Sequence, residues 1–359
     1  MDLTGIRIID AHIHQWDPLA TPRDFSAMAR LFKYLPLPIE IAIRLAPRRD
    51  REFVGDPTFF AHSYLPTDYR ADTEATPVEA IVHIEVGWSG SGPLAEVDET
   101  RWVAALPFGG ANPVLGAILG HANPAAPNFA ALLDAHRAAS ALLRGIRAMV
   151  AHHPDREVRS FAKTESALTT KAFLDGFVAL AERGLVFEAW VYSHALPDVT
   201  ALATRYPEVP IVLNHLGTPA GIFGPVGKHT GTNPSLRREL FIRWRDDLTA
   251  LAANPNVFAK VSGLMMPVLG HPVPRRGHPT PVPVLLDRIG PLVEHALDVF
   301  GADRLLWGSN FPVDKPITSI GNSVEVIAAA ITGHGGGRPE LEQIFRTTAL
   351  QLYRIDTTT

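Results

Sequence analysis

Near the start of the chain, in "IIDAHIHQW" (8–16), two histidines stand one residue apart, with an aspartate two residues before the first. Side chains alternate along a strand, so in an extended run Asp10, His12 and His14 share one face. Two imidazoles at this spacing can converge on one ion at ordinary metal–nitrogen distances. Hydrogen-bonded histidines at a strand end look the same, so the pair alone decides nothing. Other β-rich runs also end in polar groups. They carry His83 and Glu85; Arg144 and Arg147, then His152 and His153; Tyr192 and His194; Asn214 and His215; Lys260; and Ser309 and Asn310, with Asp314 four residues on. Imidazoles gathered with arginine and lysine would suit polarisation of a carbonyl and capture of an anionic substrate. His62, His121, His136, His229, His271, His278, His295 and His334 fall on expected loops, helices or the weakest strand, and most are read as surface or packing residues.

Convergence of this kind needs elements that converge. Eight β-rich runs are expected, at 6–12, 80–86, 114–121, 143–150, 185–192, 210–217, 256–263 and 304–310. The third is glycine-rich and the weakest. Several are apolar on both faces, as strands covered on both sides should be. Helical spacing lies between them, at 128–140, 164–184 (ending on Gly184), 235–255 and 282–301, where Pro291 should break or kink the helix. Strand then helix, eight times over, predicts an α/β fold: a single distorted (β/α)8 TIM barrel over 1–359. An open doubly wound sheet is the alternative, without a GxGxxG after its first strand to support dinucleotide binding. Insertions are expected at about 17–79, with amphipathic helix in 29–47, and at 218–234 and 264–281. In a barrel they sit on the C-terminal face, as lids and substrate walls or as surface and subunit contacts; a homodimer is one such arrangement.

Composition narrows the classes. Of 359 residues, 46% are hydrophobic and 19% charged, with net charge −4 and no basic block, which argues against nucleic-acid binding. The absence of cysteine excludes disulfides, thiol catalysis and thiolate metal sites. No apolar run is long enough to span a membrane and no leader pattern opens the chain, so a cytoplasmic protein acting on a small molecule is expected.

The strand-end motifs "IIDAHIHQWDP", "LRGIR", "VLNHLGTP", "FAKVSGL" and "LLWGSNFPVD", in that order from residue 8 to residue 314, resemble those of the amidohydrolase-related TIM-barrel hydrolases. The resemblance is to the branch with the sugar-acid lactonases and 2-pyrone-4,6-dicarboxylate hydrolase. It implies a site at the C-terminal ends of the strands. It also implies one divalent metal, zinc or manganese, at positions matching His12, His14, His194 and His215, although some members of the branch work without a metal. Arg147 and Lys260 match positions that hold substrate, and His83, Glu85, His153 and Tyr192 are further candidates to line its pocket. One departure stands out. The family's strand-eight aspartate, which activates water, is replaced by Asn310, and an amide cannot accept a proton at neutral pH. Asp314, His215, His153 and Glu85 are candidate bases.

The leading expectation is opening of a lactone or related cyclic ester of a small carboxylated or hydroxylated substrate. Arg147 orients a carboxylate or serves as a structural ion-pair partner; Lys260 polarises the carbonyl or neutralises Asp10 or Glu85. Non-oxidative decarboxylation, as in a sister branch, and a small-molecule-binding barrel of little activity are the alternatives.

Overall fold

The computed structural model describes residues 3, 5–23, 47–73, 75–275 and 277–357. Eight parallel strands follow one another in chain order: β1 (Ile8–Ile13), β2 (Val78–Ile84), β3 (Val114–His121), β4 (Leu143–Met149), β5 (Val186–Trp190), β6 (Ile211–Leu213), β7 (Val257–Val261) and β8 (Leu305–Trp307). The first and last meet just beyond their ends. The His14 N–H donates to the Phe311 carbonyl (2.9 Å) and the Asn310 N–H to the His12 carbonyl (2.8 Å). The sheet is thereby nearly closed into a (β/α)8 barrel. Every residue of β1, β5, β6 and β8 is buried, which is why these runs read as almost continuous apolar stretches.

Helices cover the outside. Phe129, Leu132, Leu133 and His136 form the buried stripe of the helix Phe129–Ala139. This helix and the C-terminal segment also explain the glycines of β3, which proves a full eight-residue strand. A Cβ on Gly120 would lie 2.8 Å from the His136 ring, and one on Gly116 would lie 2.7 Å from Ile355. Those glycines admit neighbours; they do not weaken the strand.

Three expectations on element bounds need correction. The helix expected over 164–184 is Lys171–Glu182, started by Thr170 Oγ1, which accepts from the Phe173 N–H. Gly184 lies beyond it at φ +57°. The helix Val282–Phe300 runs unbroken through Pro291. Burial of Leu285, Ile289, Leu292, Val293 and Ala296 on both sides of the proline outweighs its cost of about 3 kcal/mol. β6 and β8 are short because the chain turns left-handed after each, at His215 (φ +55°) and Asn310 (φ +56°).

The helix expected within 29–47 lies outside the described residues, apart from Pro47. The loops after β6 and β7 are laced together: Gly221 N–H donates to the Val268 carbonyl (3.0 Å) and Phe223 N–H to the Leu269 carbonyl (2.8 Å). A Cβ on Gly270 would lie 2.2 Å from the Gly224 nitrogen, so this crossing needs glycine. The two expected insertions form one layer. Among the described residues, no helix is long and apolar enough to cross a membrane.

Candidate active site

β1 carries Asp10 and His12, and His14 follows directly after it, all three buried. Asp10 is fully committed. Its Oδ1 accepts from the Ser309 N–H (2.8 Å) and the His12 N–H (3.1 Å), and its Oδ2 accepts from the Tyr69 hydroxyl (2.7 Å). Burial pushes its carboxyl up to about 6, against the pull of these donors. Asp10 therefore ties β1 to the end of β8.

The tautomer of His12 follows from its neighbour. Its Nδ1 lies 3.4 Å from Lys260 Nζ, and an ammonium only donates. Nδ1 is thus the acceptor and Nε2 carries the hydrogen. That Nε2 is buried without a partner. Burial first, and the Lys260 charge second, hold the imidazole neutral, well below its ordinary range. His14 has the opposite tautomer. Its Nδ1–H donates to the Ile84 carbonyl (2.9 Å), so the lone pair is on Nε2. Burial, then Arg147, lowers it to about 3. The two rings stand 5.0 Å apart, edge to face, and the His215 ring lies 4.5 Å from His12. His215 Nδ1 bonds Ser262 Oγ (2.9 Å), and burial holds this ring neutral as well.

Lys260 is paired with Glu188, not with Asp10 or Glu85. Its Nζ donates to Glu188 Oε1 (2.7 Å) and Oε2 (2.8 Å), with both side chains fully buried. Glu188 also accepts from the Tyr353 hydroxyl (2.6 Å) and from Asn214 Nδ2 (2.8 Å). Burial brings the Lys260 ammonium down to about 8, opposed by the Glu188 charge. Glu188 and Tyr353 escaped the sequence reading. An acid alternating with apolar residues in "VFEAW" was the available signal. Tyr353, on the last helix, Thr348–Tyr353, had none.

Arg147 and Glu85 form a second buried pair. Arg147 Nε donates to Glu85 Oε1 (2.7 Å) and Nη2 to the Glu85 carbonyl (2.6 Å). Glu85 Oε2 accepts from the Gly87 N–H (2.8 Å). Burial would raise the Glu85 carboxyl, but the Arg147 charge overrides it and holds the group well below the usual range. Glu85 thus anchors Arg147, whose Nη1 has no partner among the described residues. His83, fully buried, sits 3.6 Å from Glu99.

A separate group forms beyond β4 and β5. His153 stands edge-on to Tyr192 (5.0 Å) and His194 (5.5 Å). The Tyr192 hydroxyl donates to the Arg159 carbonyl (2.7 Å) and His153 Nδ1 accepts from the Asp155 N–H (3.0 Å). The ring neighbours of His194 are thus His153 and Tyr192, in a turn (Ser193–Ala195) past the end of β5.

Asn310 donates from Nδ2 to Asp314 Oδ1 (2.7 Å), and Asp314 Oδ2 accepts from the Met265 N–H (3.3 Å). Asp314 is fully buried, and burial raises its carboxyl to about 8. Asp10, Lys260 and Asp314 are brought to about 6, 8 and 8, and Asp314 is the one beside the strand-eight position held by Asn310.

Among the described residues no three His, Asp or Glu side chains are grouped so as to hold a metal ion. As placed, these residues do not fit a bound divalent ion.

A parallel eight-stranded barrel whose strand ends gather neutral imidazoles, a buried lysine and an anchored arginine defines a TIM-barrel hydrolase. The chain belongs to the amidohydrolase family, whose model, described as "Amidohydrolase", matches residues 9–355. A protein named y4mH from Sinorhizobium fredii is 30% identical over 356 residues, covering 98% of this chain and 100% of that one. An L-fucono-1,5-lactonase from Burkholderia multivorans is 31% identical over 253 residues, 70% of this chain and 73% of that one. A crystal structure of an amidohydrolase from Burkholderia multivorans, with bound zinc, shares the fold with a TM-score of 0.70 at 22% identity, covering 97% and 99% of the two chains.

Proposed function

We propose that this hydrolase opens a lactone or related cyclic ester of a small carboxylated or hydroxylated substrate. The observation that carries the reading is the contact between Lys260 Nζ and His12 Nδ1, which leaves a desolvated N–H with no acceptor in the protein. A carbonyl oxygen placed against that N–H gains a preorganised donor as charge develops on it. The free Nη1 of Arg147 is a donor for a carboxylate on the substrate, with the rest of its guanidinium fixed on Glu85. The lactonase-named relative supports the substrate class.

Water adds to the carbonyl carbon and the ring C–O bond breaks, giving an alcohol and a carboxylic acid that releases its proton to solvent. The water proton must be taken up and returned to the departing ring oxygen. Asn310 cannot do this, and Asp314 is assigned the task, held in place by the Asn310 amide. A carboxyl brought near neutrality suits both halves of such a transfer.

The test is a panel of sugar-acid and dicarboxylate lactones read with a pH indicator, before and after chelation. Turnover of at least one lactone that survives chelation is expected. Failure on every lactone by a folded protein, or turnover only after metal is added, would sink this reading.

A further inference from the structure

The face opposite the catalytic mouth holds a concavity that lactone opening does not use. Its volume is about 290 Å³ and its walls include Arg137, Arg144, Arg183, Arg354 and Ser140. The parallel strands enter the barrel at this end. Arg144 opens β4; Arg183 follows the helix Lys171–Glu182; Arg137 is in the last turn of Phe129–Ala139; Arg354 follows Thr348–Tyr353.

Two of the four guanidiniums have structural work. Arg183 grips both oxygens of Asp134 at 2.8 Å. Arg144 donates to the carbonyls of Tyr353 (2.6 Å) and Ala141 (2.6 Å), clamping the C-terminal segment to β4. The other two do not. The Arg137 and Arg354 side chains, both exposed, have no hydrogen-bond or ion-pair partner among the described residues. The acids paired with these arginines are Asp134 and Glu182, both on Arg183, and Asp134 also feels the Arg137 charge. The lining holds four guanidiniums and no carboxylate, and the two acids paired with it offset only part of their charge, in a chain whose net charge is −4. Burial and the nearby Arg354 charge both lower the Arg144 guanidinium from its usual range. Like charges gathered in a concavity repel at a cost that a bound anion removes.

We infer that this pocket binds a small, doubly charged oxoanion of the phosphate type. Guanidinium forks match such oxygens in pairs, and the dianion cancels the surplus charge. Ser140 adds a donor, because its Oγ already accepts from the Leu142 N–H (3.2 Å) and keeps its own hydroxyl hydrogen to give. The volume suits free phosphate or a small phosphate monoester. The site does not depend on which ester the catalytic face opens.

The test titrates the full chain with inorganic phosphate, then glycerol 2-phosphate, against chloride at matched ionic strength. Binding is read by calorimetry and by the thermal midpoint. Phosphate should raise the wild-type midpoint by a few degrees, and R137Q/R354Q should lose that rise while keeping the wild-type midpoint in chloride. An equal rise with the ester assigns the site to phosphate monoesters, and a rise with phosphate alone to the free ion. No rise in the wild type, or the same rise in the double variant, overturns the site.

Discussion

Gly263 and His215 occupy one space. A Cβ on Gly263 would lie 2.3 Å from His215 Nδ1, and both residues are left-handed, at φ +60° and +55°. The turn after β6 throws the imidazole towards His12, and the residue after Ser262 must lack a side chain for the ring to fit. Gly263→Ala should therefore cost about 1–3 kcal/mol from crowding, with about 1 kcal/mol more from the backbone. It should also cut kcat by displacing the ring. A denaturant titration with an unchanged midpoint would show that the ring has room to move.

The same pair shows what sequence order carries and what it hides. The two-residue spacing of His12 and His14 marks them as neighbours, and their rings do stand 5.0 Å apart, although β1 ends at Ile13 and His14 lies just beyond it. "NHLG" marked His215, but nothing in it signalled a left-handed turn. The resemblance sets His194 at a strand-five ligand position that many lactonase-like members lack; here β5 ends at Trp190 and the ring lies against His153. The partner of Lys260 is hidden for a similar reason. Glu188 lies 72 residues away, and only closure of the barrel brings it within 2.7 Å. The glycines of β3 looked like weakness because the residues that fill their space, His136 and Ile355, come from distant elements.

Glu188 and Lys260 should show strong coupling. Lys260→Met leaves a buried carboxylate facing only Tyr353 and Asn214, and removing one member of such a pair costs about 3–5 kcal/mol. Replacing both, as K260M/E188M, should recover much of that loss without restoring activity, since His12 Nδ1 would have no donor. Activity regained together with stability would show that the pair serves folding alone. The measurement is a double-mutant cycle in urea alongside initial rates.

Asp314 gives two pH effects with opposite signs. Its carboxyl is raised to about 8 from 3.8, so the folded chain holds a proton that the unfolded chain releases. The stabilisation linked to that proton is full below 3.8 and is lost as pH rises through about 8. Proton uptake from water needs the ionised form, so kcat/KM should climb over the upper part of that window. Asp314→Asn should flatten both profiles and remove most of the turnover. A rate profile that keeps its rising limb in the variant would assign the base elsewhere.

The tautomer of His12 can be observed directly. Lys260 as donor requires Nε2–H on His12, whereas the Ile84 carbonyl requires Nδ1–H on His14. Nitrogen-15 shifts of the two rings should therefore have opposite patterns near pH 7, where burial keeps both neutral. Zinc binding at His12 would have to displace that Nε2 hydrogen and set a cation beside Lys260, which lies against the same ring. The expected outcome is no stoichiometric zinc uptake by calorimetry and unchanged histidine shifts on addition of zinc. One equivalent bound, with the His12 and His14 signals moving together, would instead show that the side chains rearrange around an ion and that the carbonyl is polarised by metal.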